Sequence, residues 1–414
     1  MTLLTRRELL ALGAMLPGFQ GLAAAVDHGR HPADRPATFN RGHGDPDWES
    51  LQHQFVIAGT HLNTGTYGAC PIPVLEATIH HLRAFERITR QEHPDLEALH
   101  VALERFLGAW PGSVAIVRNT TEAVNLVAHG LTLAEGDEVL MTSHEHIGGH
   151  CAWDLLAARR GTTVRTFDPP LDPGDADELH DAWVRAIGPR TRVMLISHIL
   201  FTTGMIQPVA RLVRTARERG IISVIDGAHP PGMLALDLAA IDADYYATSP
   251  HKWLLAPKGT GLLITRPDRL ESTWPLIASG DWARDDYRRF EHVGTSNESL
   301  VAGLAAAVQF QDAIGRRAIE ARARSLSTTL DGMLREVKGV RLVSPRTEEL
   351  RSAMVSFTKD GVGADRLQGV LGEAGFRTRR ISEFGYEYLR LSTHLYVLPR
   401  DLARAVEVIA GVTA

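Results

Sequence analysis

The chain has 414 residues, of which 44% are hydrophobic, and this length and composition predict a soluble globular protein with one large and one smaller domain. Its net charge of -5 and its lack of long basic runs argue against nucleic-acid binding, and no apolar run beyond the N-terminus is long enough to span a membrane. The two cysteines, Cys70 and Cys151, are too few for a disulfide framework and lack metal-ligand spacing.

The N-terminus has the layout of an export signal. Arg6 and Arg7 precede an apolar stretch that ends in small residues at 23–25. The arginine pair resembles the twin-arginine type of signal, which exports folded proteins, although Leu9 stands where that motif usually has phenylalanine. We therefore predict an export signal over residues 1–26 and a periplasmic or otherwise exported protein. An amphipathic N-terminal helix on a cytoplasmic protein is the alternative.

Residues 27–60 are predicted to form a leader or a segment of the small domain. From 61 to 295 apolar strands alternate with helical stretches; the strands are centred on "SVAIV", "DEVLM", "TTVRTF", "TRVMLIS", "IISVID" and "DYYAT". Continuous apolar strands separated by helices predict an α/β domain, in which helices cover both faces of a mostly parallel sheet.

The pattern changes after Gly294. Helical stretches near 300–336 and 400–412 flank the strand-like segments "VRLVSP", "AMVSFTKDG" and "YLRLSTH". We therefore predict a smaller α+β domain over residues 296–414.

Polar side chains collect where the predicted strands of the large domain end, and ligands of open parallel sheets bind at that edge. The strand ends carry Thr120 and Thr121, His144 and His146, Ser197 and His198, Asp226 and His229, and Ser249, His251 and Lys252. Taken singly, each has a structural explanation, since hydroxyls cap helices and a buried histidine usually satisfies its neighbours. Their convergence on one edge is what indicates a site.

Lys252 is the most informative of these residues, because only four of the 44 basic residues are lysines and arginine cannot deprotonate to attack a carbonyl. A lysine, a carboxylate, an imidazole and hydroxyls at helix starts are together what pyridoxal 5′-phosphate (PLP) requires. The sequence therefore predicts a PLP site in which Lys252 forms the Schiff base. Lys258, Lys338 and Lys359 stand in polar turns and are interpreted as surface cations.

The segments "HLNTGTYGACP", "RNTTEAVN", "DGAHPPG", "SPHKWLLAPKGTG" and "YLRLSTH" resemble the class V aminotransferase family of fold-type I PLP enzymes, and most of all its isopenicillin N epimerase-like branch. The resemblance implies a homodimer with shared active sites that acts on an amino acid or a peptide-like compound. It extends to periplasmic enzymes that tailor secreted peptide siderophores.

Residue by residue, the resemblance assigns the catalytic groups. Lys252 would form the aldimine and move protons at the α-carbon, Asp226 would pair with the ring nitrogen, and His229 would contact the phenolic oxygen. His146 would stack on the ring, and Arg390 would bind the substrate α-carboxylate. The residues implied to hold the phosphate are Thr120, Thr121, Ser249 and His251, with Gly294 and Thr295 of the other subunit.

Three further assignments are left open by the sequence. Thr202 or Thr203 is a candidate contact with the ring or the substrate. Arg377, Arg379 and Arg380 either bind a second substrate carboxylate or form a solvated strand face. Specificity is expected in the loops 40–68, 275–292 and 377–390.

The reaction type also has alternatives. Epimerase or aminotransferase chemistry is favoured over a carbon-sulfur lyase that catalyses β-elimination, and the segment before Arg390 lacks the cysteine that desulfurases use there. A metal-dependent hydrolase that uses His144, His146 and His150 with Asp226 is the alternative from another class. An inactive binding protein on the same fold is the third.

Overall fold

The computed structural model describes residues 46–87 and 91–413. The predicted export signal and most of the segment 27–60 lie outside the described residues. Within the described ranges, no helix combines the length and the apolar character that crossing a bilayer requires.

The strands, in chain order, are β1 Thr60–His61, β2 Val114–Val117, β3 Glu138–Thr142, β4 Thr163–Phe167, β5 Thr191–Ser197, β6 Ile222–Asp226, β7 Tyr245–Thr248, β8 Gly261–Thr265, β9 Val340–Leu342, β10 Met354–Lys359, β11 Phe376–Arg377, β12 Arg379–Ile381 and β13 Tyr388–Ser392. The α-helices are Trp48–Gln52, Ile72–Phe85, Leu96–Leu107, Thr120–Gly130, Ile147–Arg160, Ala176–Ala186, Val209–Glu218, Leu238–Ile241, Pro267–Leu270, Arg288–Glu291, Glu298–Ile314, Arg316–Arg335, Ala364–Glu373 and Pro399–Gly411. Short 3₁₀ turns lie at Glu348–Leu350 and Glu383–Gly385.

A seven-stranded sheet in the order β2-β8-β7-β6-β5-β3-β4 forms the centre of the large domain. Strand β8 runs antiparallel to both of its neighbours, and the other pairs are parallel. The carboxyl ends of β2, β3, β5, β6 and β7 therefore meet at one edge. The predicted α/β fold with a mostly parallel sheet is confirmed, although β8 was absent from the prediction.

Alternation of apolar side chains along β5 explains why this sheet is covered on both faces. Val193 and Leu195 pack into one core with the helices Thr120–Gly130 and Ile147–Arg160. Met194 and Ile196 pack into the opposite core. Because successive side chains of a strand point to opposite faces, a continuous apolar run needs helices on both sides.

A four-stranded antiparallel sheet in the order β12-β13-β10-β9 forms the centre of the smaller domain. The helical stretch predicted over 300–336 is two helices, because Gly315 has a φ of 99° and breaks it. The helix Ala364–Glu373 and the strands β11 and β12 were also absent from the prediction, which had only the other three strands of this sheet.

The helix Glu298–Ile314 connects the two cores. Its residues Leu304 and Ala307 lie in the core of the large domain, whereas Phe310 and Ile314 lie in the core of the smaller one. Leu51 also packs into the smaller core, although it precedes the large sheet in the chain. The smaller domain is thus built from both ends of the described chain, and the boundary predicted at 295/296 falls just before the connecting helix.

Candidate active site

A cavity of about 320 Å³ lies at the carboxyl edge of the large sheet, against β13 of the smaller domain. Nine of the residues predicted from the sequence line it together: Thr120, Thr121, His146, Asp226, His229, Ser249, His251, Lys252 and Arg390. They come from the ends of four strands of the large sheet, β2, β3, β6 and β7, and from one strand of the smaller domain; Ser197, at the end of β5, lines the cavity as well.

Lys252 follows β7 in a turn in which its backbone N–H donates to the carbonyl of Ser249 at 3.0 Å. Its Nζ makes no hydrogen bond to the described part of the chain. Burial lowers the pKa of Lys252 to about 8; Asp226 opposes this shift and Arg390 adds to it. A lysine with a lowered pKa is partly neutral near physiological pH, which is what imine formation requires.

Asp226 ends β6 and is buried. Its Oδ1 accepts the backbone N–H of Ala228 at 3.0 Å. Burial raises the pKa of this carboxyl, while Lys252 and the Ala228 N–H lower it. A Cβ at position 149 would lie 3.1 Å from Asp226 Oδ2, so Gly149 keeps the first turn of the helix Ile147–Arg160 clear of the carboxylate.

The tautomer of His229 is set by Trp253. Trp253 Nε1 donates to His229 Nδ1 at 3.1 Å, and an indole N–H can only donate. Burial and the nearby Lys252 lower the pKa of His229 well below its ordinary value, so the ring is neutral. Its hydrogen therefore sits on Nε2, which can donate to an oxygen in the cavity.

Hydroxyl groups gather at the start of the helix Thr120–Gly130. The Thr120 backbone N–H donates to Ser249 Oγ at 3.1 Å, and the two side-chain oxygens lie 2.7 Å apart. A Cβ on Gly148 would lie 2.4 Å from Thr121 Oγ1. Hydroxyls at a helix N-terminus, where the helix dipole favours negative charge, form a site suited to a phosphate group.

His251 borders this hydroxyl cluster. Its Nδ1 donates to the Thr260 carbonyl at 2.9 Å. Burial lowers the pKa of His251, the Thr260 carbonyl raises it, and Lys252 and Lys258 lower it. In the neutral ring Nε2 is an acceptor, so protonation of His251 is what lets this atom donate to an anion.

His146 caps the helix Ile147–Arg160, because its Nδ1 accepts the Gly148 N–H at 3.0 Å. Its ring lies edge-on to Phe201, with 5.0 Å between ring centroids. Burial lowers the pKa of His146 to about 4, and the charge of Lys252 contributes in the same direction. His146 is thus a neutral ring on the cavity wall with its hydrogen on Nε2.

Arg390 is a buried cation with incomplete partners. It lies on β13 between Leu389 and Leu391, which face the core, so strand alternation directs it to the cavity. Its Nη1 donates to the Phe201 carbonyl at 2.6 Å and its Nη2 to Asn63 Oδ1 at 3.3 Å, while Nε has no partner. Within 46–87 and 91–413 no carboxylate forms an ion pair with it.

Other predicted residues lie elsewhere. Thr202 and Thr203 are buried away from the cavity, and Thr202 Oγ1 bonds His144 Nδ1 at 2.6 Å. Phe201 takes the place on the cavity wall that the sequence assigned to a threonine. Gly294 and Thr295 are exposed and do not line the cavity of their own chain.

The histidines proposed for a metal site do not converge. His144 stacks on Tyr386 at 4.4 Å, and His150 pairs with Asp154 one helical turn away. In the part of the chain that the structure describes, no three histidine, cysteine, aspartate or glutamate residues are placed to hold a metal ion.

Sequence reasoning missed the residues that support Arg390. Gly65 lies against the guanidinium, since a Cβ there would lie 2.7 Å from Nη2. Thr66 Oγ1 donates to Asn63 Oδ1 at 2.8 Å and so holds the amide that contacts Arg390. The motif "HLNTGTYG" carried this information, because an Asn-Thr-Gly-Thr run after a short strand is typical of a shaped turn.

These side chains fit PLP. The helix-end hydroxyls suit its phosphate, Asp226 its ring nitrogen, His229 Nε2 its phenolic oxygen and Lys252 its aldehyde carbon. The fit follows from three groups with bonding capacity left over: the buried His229 N–H donor, the buried Asp226 carboxylate and the Lys252 amine, which is partly buried.

Comparisons with known proteins agree with this chemistry. Residues 75–384 match the family described as Aminotransferase class-V. The isopenicillin N epimerase of Streptomyces clavuligerus is 35% identical over 392 residues, which cover 89% of this chain and 98% of the epimerase. The cysteine desulfurase of Haloferax volcanii is 32% identical, over 72% of each chain.

A solved structure gives the same picture of the fold. A mutant of C-DES with glycine covalently linked to the PLP cofactor superposes with a TM-score of 0.79 and 26% sequence identity, covering 87% of this chain and 99% of C-DES. C-DES is a cystine C-S lyase.

Proposed function

The chain belongs to the class V aminotransferase family and is a PLP-dependent enzyme, and from this premise we propose that it is an epimerase acting at the α-carbon of an amino acid or an amino-acid-containing compound. The observation that carries the proposal is that one cavity holds two separate proton carriers, Lys252 and His146. The pKa of each lies below its ordinary value. Inversion needs a proton to leave one face of the α-carbon and another to return to the opposite face.

Bound PLP would withdraw electrons from the α-carbon and so make its hydrogen acidic. Lys252 would take that proton, and His146 would return one as a relay: Nδ1 would take up a proton from water and give up the Gly148 N–H as Nε2–H leaves. Arg390 would fix the α-carboxylate, because a buried guanidinium with an unused N–H is stabilised by an anion that fits its planar fork. Membership in this family makes the metal-dependent hydrolase hypothesis wrong.

An open groove of about 900 Å³ continues from the cavity and supports an extended substrate. The two share Thr66 and Arg379. Lys258, Arg377 and Arg379 line the groove, and no aspartate or glutamate stands among its described lining residues. Arg380 pairs with Glu387 and lies outside both spaces. We therefore assign an anionic tail to the substrate, with Arg377 as the arginine that faces it; Arg379 also lines the groove, but it pairs with Glu383.

The surface near Gly294 and Thr295 supports a homodimer. Trp274, Trp282 and Val293 are 59%, 47% and 41% exposed and precede these two residues in the chain. Large apolar groups that stay exposed on one segment indicate an interface. A second copy would cover them and bring Gly294 and Thr295 to its partner's phosphate site, as the family resemblance implies.

Export is the remaining part of the proposal. It depends on the sequence of the N-terminus alone, that is on Arg6, Arg7, the apolar stretch after them and the small residues at 23–25, since residues 1–45 lie outside the described chain. Changing both arginines to Lys should leave the protein in the cytoplasm, whereas the unchanged protein should reach the periplasm, as cell fractionation measures. Equal distribution of the two proteins would remove export from the proposal.

The reaction type is tested by incubating the holoenzyme in D₂O with L- and D-amino acids and with short peptides that have a free N-terminal amino group. Deuterium at the α-carbon together with the opposite configuration supports epimerisation. Conversion of the cofactor to its pyridoxamine form, with a keto acid as product, would show an aminotransferase instead.

A carbon-sulfur lyase is the second candidate, because C-DES shares the fold at 26% identity. It would release sulfide, pyruvate and ammonia from cysteine, or cysteine persulfide, pyruvate and ammonia from cystine. Neither Cys70 nor Cys151 lines the cavity, so a desulfurase reaction through an enzyme thiol there has no nucleophile.

A further inference from the structure

A second buried carboxyl, Glu145, lies behind the cavity wall and has no role in the mechanism above. Only 1% of its surface is exposed. Ser197 Oγ lies 2.5 Å from its Oε2, and Thr142 Oγ1 donates to its Oε1 at 2.8 Å. The backbone N–H of Ser197 also donates to Oε1, at 3.3 Å. A buried carboxyl with three hydrogen-bonding partners holds a fixed position.

These contacts connect Glu145 to two residues of the PLP site. Ser197 on β5 is the direct register partner of Asp226 on β6. His146 follows Glu145 in the chain, so the carboxyl anchors the turn from which the His146 ring projects. Glu145 therefore fixes the strand end beside Asp226 and the turn that carries His146 at the same time.

The charges around Glu145 are few. Asp226 acts on it from β6, and Lys252, after β7, acts on Asp226. The neighbouring His144 and His146 are neutral above about pH 5, because burial lowers the pKa of each to about 4. Burial raises the pKa of Glu145 to about 7; Ser197 and Thr142 oppose this shift, and the Asp226 charge adds to it.

We propose that Glu145 is a positioning residue of the PLP site, which holds Asp226 and His146 in place through Ser197 and Thr142 and, when ionised, adds a second negative charge behind the ring nitrogen. Two carboxylates on that side hold the proton of the ring nitrogen more tightly than one. The inference depends on PLP binding and not on the reaction type, so it stands or falls separately from the epimerase proposal.

Two variants separate the charge from the geometry. Glu145→Gln keeps acceptors for Thr142 and the Ser197 N–H and a donor for Ser197 Oγ, but removes the charge. Its dissociation constant for PLP should match that of the wild type at pH 5.5 and be about tenfold higher at pH 8.5. A factor of about ten is what a shift of one pKa unit between two coupled groups gives. Glu145→Leu should weaken PLP binding at both pH values and change the visible circular dichroism of the bound cofactor.

Glu138→Gln is the matched control, since Glu138 lies at the other end of β3 and is also buried, bonding Thr191 and Arg165. It should leave PLP affinity unchanged at both pH values. If the dissociation constant of Glu145→Gln relative to the wild type is the same at pH 5.5 and 8.5, the charge effect is overturned. Wild-type affinity of Glu145→Leu for PLP would overturn the positioning role. If either variant fails to fold, Ser197→Ala serves instead. The absorption of the bound cofactor should change as Glu145 ionises, and loss of the Ser197 hydroxyl, which lowers the pKa of Glu145, should move that change to higher pH. An absorption change at the same pH as in the wild type would contradict the proposal.

Discussion

Lys252 and Lys258 lie six residues apart in the segment between β7 and β8, yet they belong to two different kinds of surface. Lys252 is in the cavity, and its Nζ makes no hydrogen bond within the described residues. Lys258 is exposed in the groove, and its Nζ donates to the Gly68 carbonyl at 2.7 Å. Charged side chains of the cavity, such as Arg390 and Asp226, are buried and have few partners, whereas Lys258 and Arg377 of the groove are exposed to water.

Arg390 of the cavity and Arg377 of the groove differ in the same way. Arg390 is 2% exposed and has an Nε without a partner. Arg377 is exposed, and it donates to the Tyr67 hydroxyl and lies over the Tyr67 ring. A buried charge without a counter-ion is costly, and an exposed one is not. The cavity is therefore the region that gains most from a bound anion, and substitutions there should have the larger effects.

The largest effect is expected for Lys252→Ala. It removes the one lysine among the described residues that line the cavity, so the visible absorption band of the lysine-bound cofactor should disappear. Turnover should fall by about 10³-fold or more, within the range for loss of an acid-base group. Lys258→Ala is the matched control and should keep the band. A band of wild-type intensity in Lys252→Ala would show that another amine forms the imine.

Arg390→Lys should have the second largest effect. An ammonium cannot reproduce the guanidinium fork, and truncating a buried charge pair costs about 2–5 kcal/mol, so kcat/KM for α-amino acids should fall about a hundredfold or more. The same variant should bind the corresponding amine, which lacks the carboxylate, as the wild type does. An equal loss for both ligands would mean that Arg390 supports the fold of the site and does not bind the carboxylate.

The stability of the cofactor-free protein should also separate the two lysines. The pKa of Lys252 falls from 10.5 to about 8, so below pH 8 the folded protein holds a buried charge, which destabilises it by at most about 3 kcal/mol. As pH rises from 8 to 10.5 the folded state has lost this proton and the unfolded state has not, so stability rises.

Lys252→Met should therefore raise the Tm at pH 7, and the gain should shrink toward pH 10. Lys258→Met, at an exposed position, should change the Tm little at either pH. A gain for Lys252→Met that does not depend on pH would indicate better packing and not the removal of a buried charge.

A smaller effect, about tenfold on kcat, is expected for Trp253→Phe, since the Nε1 donor that fixes the His229 tautomer is lost. The absorption maximum of the bound cofactor should shift as well. Trp183→Phe is the control, because Trp183 is also fully buried and donates to Gln207, and neither residue lines the cavity. If the absorption maximum shifts by the same amount in both variants, the cause is lost packing and not the loss of the Trp253 donor.

The strand ends of the large domain could be predicted from the sequence because apolar strands and polar strand ends are local patterns. Asp226 and Lys252 needed only the rule that parallel strands end at one edge. Strand β8 was not predicted, because "GLLIT" follows a turn and not a helix, so it does not fit the alternation of strands and helices that identified the other strands.

The residues that sequence reasoning missed act over long separations. Asn63 and Arg390 are 327 positions apart and meet through a side-chain hydrogen bond, because the turn after β1 packs beside β13. Phe201 faces the cavity in place of Thr202 because the turn after β5 exposes one residue and buries the next. A shift of one position in a turn has no periodic signal in the sequence. Here the hydrogen bonds of Thr202 with Ser356 and His144 hold Thr202 away from the cavity.

The smallest effect is expected in the groove. Arg377→Ala should raise KM about threefold for a substrate with an anionic tail and leave a short amino acid unaffected, because an exposed charge contributes only about 0.2–1 kcal/mol. Arg380→Ala, outside the groove, is the control and should change neither. The threefold effect should vanish at high salt, since screening acts on exposed charges and spares buried ones such as Arg390. An effect of Arg377→Ala on the short substrate as well would place this arginine in the cavity chemistry, and the contrast between the two regions would then be wrong.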